Sequence, residues 1–185
     1  MNNQEKVEAK HLFRQEARKV LAKEASSPRR YRKDKEVIKR LYTLIQASDA
    51  KEIFCYLPLD MEVNLTPLLK RLRQEKRTLY VPFMEGKSFR LVKYRFPLVK
   101  KRFGLREPKD SKQYRKKKID LAIVPIIGMD TTCRRIGFGK GMYDRFFEKE
   151  LKNISYVVFV ARRLCYTSQE ITDRYDVRAD EVIVP

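Results

Sequence analysis

Five short apolar runs punctuate the chain: EIFCYLP at 52–58, RTLYVP at 77–82, DLAIVP at 120–125, YVVFVA at 156–161 and EVIVP at 181–185. Each has the length of a strand and is apolar at consecutive positions. Strict alternation marks a strand with one wet face, whereas a continuous run suits a strand buried on both faces. Such a sheet needs helices above and below it, and the stretches between the runs supply them. Residues 5–24 place Val7, Leu12, Phe13, Val20 and Leu21 at helical spacing, and 32–47 do the same with Val37, Ile38, Leu41, Leu44 and Ile45. Pro28 separates the two. Thr66-Pro67 opens a third helix, cap then first-turn proline, running to about Glu75. FRLVKY at 89–94 reads as a further strand after a turn at Glu85-Gly86-Lys87, residues 128–139 as a loop, and 140–152 as a helix. The expectation is one α/β domain over residues 1–185, a three-layer α/β/α sandwich with a largely parallel central sheet.

Charge narrows the partners. The chain has 185 residues, with 43 Lys and Arg against 24 Asp and Glu, a formal charge of +19. The excess is uneven: residues 101–118 carry 9 basic and 2 acidic side chains, while 119–185 carry 10 of each. A balance this basic predicts an anionic partner.

The same inventory removes several chemistries. His11 is the single histidine, so a zinc site built on two or three imidazoles is excluded, and a Ser-His-Asp triad has no support around it. Cys55, Cys133 and Cys165 show no CxxC spacing and read as reduced thiols of a cytoplasmic protein. No apolar run approaches the roughly 18 residues of a membrane span, and the N-terminus lacks the apolar core of a signal peptide.

The chemistry concentrates in one segment. Four of the six glycines, Gly128, Gly137, Gly139 and Gly141, fall within PIIGMDTTCRRIGFGKGMYDRFF at 125–147. It follows a buried strand and leads into a helix. Alternating glycines let backbone N–H groups converge on an anion, and the helix N-terminus adds its partial positive charge. Arg135 and Lys140 add full charges, and Asp144 lies on the first helical turn, placed to reach a Mg²⁺ held by phosphate oxygens. A GxGxG alone also describes a flexible turn; the strand before it and the helix after it favour a phosphate loop. It is neither a Walker A loop nor a dinucleotide fingerprint.

RIGFGKGMYDR at 135–145 resembles the signature R-L-G-x-G-x-G-Y-Y-D of the 5-formyltetrahydrofolate cyclo-ligases, also called methenyltetrahydrofolate synthetases. The resemblance runs along nearly the whole chain in order. KHLFR at 10–14 is similar to the family's K-x-x-x-R element, YLPLDMEVNLTP at 56–67 to a stretch ending E-V-D-T, and FGLREP at 103–108 to F-G-I-x-E-P. DLAIVPIIGMD at 120–130 resembles D-L-V-I-V-P-G-V-A-F-D, and Asp176 with the DEVIV at 180–184 resembles the C-terminal H-D-x-x-x-D element. Met142, Ile126, Tyr175 and Asn64 depart from the pattern.

The resemblance implies ATP- and Mg²⁺-dependent conversion of 5-formyltetrahydrofolate to 5,10-methenyltetrahydrofolate, with ADP and phosphate released through an N5 iminophosphate. It implies ATP contacts from Lys10, Arg14, Arg134, Arg135, Ile136, Gly137, Phe138, Gly139, Lys140, Gly141, Met142 and Tyr143. Tyr56, Glu62, Gly139 and Tyr143 would contact the folate, Asp144 and Asp176 the metal, and Arg135 and Lys140 would act in catalysis. The implied partners are ATP and 5-formyltetrahydrofolate; the charge of residues 100–118 adds the expectation that they flank the folate mouth and attract a polyglutamate tail, and the protein is expected to be a monomer with no membrane or nucleic-acid partner. Two rival readings remain: a divergent member that binds nucleotide or folate without turnover, and a basic nucleic-acid-binding protein, although no RRM, KH, zinc-finger or helix-turn-helix pattern is present.

Overall fold

The computed structural model describes residues 2–101, 104–109 and 118–185. Five strands, β1 (Glu52–Cys55), β2 (Thr78–Glu85), β6 (Leu121–Pro125), β9 (Val157–Val160) and β11 (Glu181–Ile183), run parallel to their neighbours among themselves. A sixth, β3 (Ser88–Lys93), pairs antiparallel with β2 through a hairpin closed at Glu85 and Ser88. Together they form the central sheet, in the order β11-β9-β6-β1-β2-β3. The five apolar runs are thus the five parallel strands.

The continuous apolar pattern has the physical cause inferred for it. Ile53, Cys55, Leu121, Ile123, Val158 and Val160 point to one face and pack with helices α2 (Arg30–Ala47) and α3 (Thr66–Gln74). Phe54, Ala122, Val124, Val157 and Phe159 point to the other and meet Phe146 and Phe147 of α4 (Met142–Glu150). Val37, Leu41 and Ile45, four residues apart on α2, are fully buried. Each such side chain contributes roughly 1.5–3 kcal/mol by leaving water.

Helix α1 (Asn3–Ser26) lies outside these layers. It starts at a reciprocal cap, Asn2 with Glu5, which extends it beyond 5–24. Ala17 and Leu21 pack on Ile127, Ile136 and Ile171. There the segment expected to be a loop at 128–139 holds two short strands, β7 (Gly128–Asp130) and β8 (Arg135–Ile136), which join β10 (Tyr166–Thr167) in a small second sheet. Strands of two and three residues leave too few positions for a period to show. A cis Phe96-Pro97 bond precedes the ribbon of β4 (Leu98–Lys100) and β5 (Arg106–Pro108). α3 is capped differently from expectation: Thr66 is already helical, and Asn64 Oδ1 accepts its N–H at 3.1 Å. Of the basic segment at 101–118, residues 102, 103 and 110–117 lie outside the described residues.

Candidate active site

The sheet order creates a crevice. The chain leaves β1 through α3 on one face and leaves β6, its neighbour on the other side, through α4 on the opposite face. Connections that diverge in this way part above the strand ends, where open α/β sheets bind ligands. A cavity of about 320 Å³ lies there. The loop after β1 lines it with Tyr56, Leu59, Met61 and Glu62, and the glycine-rich segment with Arg135 and Phe138 through Tyr143. Met84, Phe89 and Glu107 close the far wall.

The glycine-rich loop is held from outside by α1. Arg14 Nε donates to the Gly137 carbonyl at 3.0 Å, and Arg18 Nη2 to the Phe138 carbonyl at 2.5 Å. In a trans peptide the C=O and N–H point opposite ways. Turning both carbonyls towards α1 therefore turns the N–H groups of Phe138 and Gly139 away from it. Gly137 has no room for a side chain: a Cβ there would stand 2.1 Å from Arg135 Nη1. Gly141, at φ +61°, is the left-handed residue that launches α4, so the free N–H groups of the first helical turn open beside Lys140. Arg145 reaches back to the carbonyls of Lys140 and Lys87 and ties the loop to the β2–β3 hairpin.

Beneath the loop sits a charged cluster. Arg135 is 4% exposed, donates through Nε to the Pro125 carbonyl at 3.0 Å, and stacks 4.5 Å over the Tyr143 ring. Its Nη1 is 3.8 Å from Asp144 Oδ1, beyond hydrogen-bond reach, and that buried oxygen has no hydrogen-bond partner among the described residues. Burial pushes the Asp144 carboxyl up, Arg135 pulls it down, and the like charge of Asp176 adds to the rise. Asp144 and Asp176 are close enough to feel each other's charge, and the orphaned Asp144 oxygen is the kind of donor a hard divalent cation takes, although no group of three metal-ligating side chains occurs among the described residues. Lys10 is more committed than an open helix face suggests: its ammonium lies 2.5 Å from Asp176 Oδ2 and 3.4 Å from Asp173 Oδ2. Tyr175, in place of the family's histidine, donates its hydroxyl to Asp173 at 2.8 Å.

Tyr56, Glu62 and Tyr143 bring aromatic rings and a carboxyl to the same cavity. Tyr56 donates to the Val63 carbonyl at 2.9 Å. Glu62 Oε2 accepts from the Leu59 N–H at 2.8 Å, and burial raises its carboxyl to about 7 against the pull of that bond and of Arg135 and Arg162. Tyr143 stacks on Phe54 and meets Phe89 edge-on, so its ring is both wall and core.

Of the residues singled out in sequence, Tyr56, Glu62, Arg135, Phe138, Gly139, Lys140, Gly141, Met142 and Tyr143 line the cavity together. Arg14, Gly137, Asp144 and Asp176 do not line it; Arg14 bonds the Gly137 carbonyl of the loop, Asp144 faces the lining residue Arg135, and Asp176 acts on Asp144 through its charge. Ile136 does not line it either: its side chain is core, and its carbonyl accepts from the Ile127 N–H at 3.1 Å. Arg134, next to Arg135 on β8, lines none of the cavity and bridges to Arg178 through its backbone. Sequence reasoning missed Arg18 as a support of the loop, although it continues the Lys6, Lys10, Arg14 row. It also missed Asp130, fully buried, whose carboxylate accepts from Thr132, Ile171 and Thr172 and so pins the segment that carries Asp176.

Residues 6–185 match the family model of the 5-formyltetrahydrofolate cyclo-ligases. A curated protein of Haemophilus influenzae named 5-formyltetrahydrofolate cyclo-ligase is 26% identical over 195 residues, covering both chains completely. The solved structure of Aquifex aeolicus 5,10-methenyltetrahydrofolate synthetase superposes with a TM-score of 0.74 at 28% identity, over 95% of this chain and 88% of that one. A Mycoplasma pneumoniae 5,10-methenyltetrahydrofolate synthetase shares the fold, with a TM-score of 0.72 at 18% identity over 95% and 98% of the two chains. With almost every residue matched by one family model, and the same fold found in two synthetases, the chain belongs to the 5-formyltetrahydrofolate cyclo-ligase family of ligases.

Proposed function

We propose that this protein uses ATP to cyclise 5-formyltetrahydrofolate to 5,10-methenyltetrahydrofolate, releasing ADP and phosphate. The observation that carries the reading is one cavity lined both by a carboxyl and aromatic rings, Glu62 with Tyr56 and Tyr143, and by a cationic, glycine-rich stretch, Arg135 and Phe138 through Gly141. The first suits a folate ring and the second a triphosphate.

The chemistry needs no protein nucleophile. A formamide oxygen is a poor leaving group. Transfer of the γ-phosphoryl group to that oxygen releases ADP and gives an N5 iminophosphate. The N10 lone pair then attacks the formyl carbon, the C–O bond breaks with its electrons leaving on phosphate, and the N10 proton is lost as the ring closes. The protein's part is positioning and charge neutralisation. Arg135 and Lys140 stabilise the transferring phosphoryl group, and the N–H groups of the loop and of α4 hold its oxygens. Arg14 keeps those N–H groups aimed while lending its charge to the same loop. Lys10 holds Asp176 in place. Asp144 and Asp176 are the groups that would hold Mg²⁺, which when bound neutralises phosphate charge.

A wider groove of about 860 Å³ continues from the cavity along Lys87, Lys101, Lys140 and Arg145. Its charge fits the carboxylates of a polyglutamylated folate. Lys116 and Lys117, in the basic segment expected to attract that tail, lie outside the described residues. No helix among the described residues is long and apolar enough to cross a membrane. The reading places the protein in the cytoplasm as a monomer acting on soluble substrates.

The test is the growth of methenyltetrahydrofolate absorbance from 5-formyltetrahydrofolate and Mg-ATP. Turnover that stops when ATP is withheld is expected. ATP binding without turnover would overturn the reading in favour of a non-catalytic member, and salt-sensitive RNA binding without turnover in favour of a nucleic-acid partner.

A further inference from the structure

The loop that carries Glu62 is gripped by an ion pair outside the cavity. Arg162, just past β9, and Asp34, on the second turn of α2, are 128 residues apart in sequence. Their side chains are only 3% and 8% exposed. Arg162 Nε meets Asp34 Oδ1 at 2.6 Å and Nη2 meets Oδ2 at 3.0 Å, the two parallel bonds of a fork. Each partner then turns its remaining hydrogen-bonding capacity to the same loop. Arg162 Nη1 donates to the Asp60 carbonyl at 3.1 Å, and Asp34 Oδ2 accepts the Asn64 N–H at 3.3 Å. These contacts fall two residues before and two residues after Glu62.

Packing does not require charge here. The rest of the inward face of α2 is Val37, Leu41 and Ile45. The desolvation of a buried ion pair roughly cancels its attraction, so an apolar pair of similar volume usually serves stability as well or better. What the fork supplies is a fixed position. Glu62 depends on that position, because its Oε2 bonds the Leu59 N–H, its own N–H bonds the Leu59 carbonyl at 2.9 Å, and Val63 is tied to Tyr56. We propose that the Arg162–Asp34 pair is a positioning clamp for Glu62. It sets the loop so that the carboxyl meets the folate, and it thereby governs folate affinity without touching the substrate. The inference rests on the reading of Glu62 as a folate contact.

Three variants test it, read by equilibrium binding of 5-formyltetrahydrofolate and by the separate KM values for folate and ATP. Asp34→Leu combined with Arg162→Met removes both charges and strands neither. It is expected to melt cooperatively near the wild-type temperature, to bind folate about tenfold more weakly, and to keep its ATP KM within about twofold. Arg162→Lys keeps the charge but loses the fork, and should weaken folate binding severalfold in a folded protein. Glu62→Gln is the control and should weaken folate binding on its own. If it does not, the folate role of Glu62 falls and the clamp's purpose falls with it. If Glu62→Gln weakens binding while the folded double variant binds folate normally, the pair is structural and the clamp is overturned. Should the double variant not fold, normal folate affinity in Arg162→Lys overturns the clamp in its place.

Discussion

Asp144 Oδ1 lies 3.8 Å from Arg135 Nη1, near enough to feel the guanidinium and too far to accept its proton. That oxygen has surrendered water without gaining a hydrogen bond among the described residues, while the side chain as a whole stays 21% exposed. Such a group costs the folded protein about 1–3 kcal/mol. The arrangement makes sense if the oxygen is kept for a cation, and Asp144→Asn separates the two costs. The variant should melt higher than the wild type in the absence of Mg²⁺, by about 1 kcal/mol, and should lose any stabilisation that Mg²⁺ gives the wild type. Turnover should fall by at least about 100-fold. Thermal melts with and without Mg²⁺, alongside the absorbance assay, check all three.

Glu62 makes a prediction about pH. Its carboxyl sits at about 7 in the folded protein against 4.5 for an ordinary glutamate. The folded state thus holds the proton more tightly than the unfolded state. Its contribution is full below about pH 4.5, declines as pH rises to about 7, and is flat above. Glu62→Gln has no such proton. The stability of the wild type minus that of the variant should fall across this window, by about 3 kcal/mol in total. Denaturant melts from pH 4.5 to 8 measure the difference, and a flat line contradicts the burial of the carboxyl.

Gly137→Ala should act on Arg135. A methyl group there would stand 2.1 Å from Nη1 and 2.7 Å from Cζ. The guanidinium must then leave the Tyr143 ring or break its bond to the Pro125 carbonyl. The expected result is a folded protein whose kcat drops by about 100-fold or more, the loss typical of one displaced charge-stabilising donor. Steady-state kinetics with circular dichroism as a folding control decide it.

Arg18 is exposed, and its main contact is the Phe138 carbonyl. Arg18→Ala should leave stability within about 0.5 kcal/mol. It should raise the ATP KM severalfold, because the loop N–H groups lose a fixed direction, and Arg18→Lys should restore part of the effect. Equal KM values in all three proteins would show that Arg14 alone holds the loop.

The sequence made the parallel sheet legible because burial on both faces leaves a dense trace in single strands such as LAIV and VVFV. It made the glycine loop legible because its glycines are clustered and flanked by charge. Short pairings left no such trace: Arg135-Ile136 is a two-residue strand within a run that reads as loop. Side-chain commitments were equally hidden. Lys10 looked like one of a row of helix-face cations, and only the fold brings Asp173 and Asp176 against it. Arg162 lay beside Arg163 at the end of a strand with nothing to mark one as buried and the other as exposed. Ile136 fell inside the matched signature, yet the period of a strand turns its side chain into the core.

The α1 contacts also bear on how the protein comes to be active. Lys10 meets Asp176 across 166 residues of chain, and Arg14 and Arg18 meet the glycine loop across 123 and 120. Loop closures of this span come late, after the local pairs have formed. The first helix can pair early with α2, through Lys33 and Glu24 at 2.6 Å, but its bonds to the loop and to Asp176 need chain that is made much later. The glycine loop therefore takes its final support from contacts that span most of the chain.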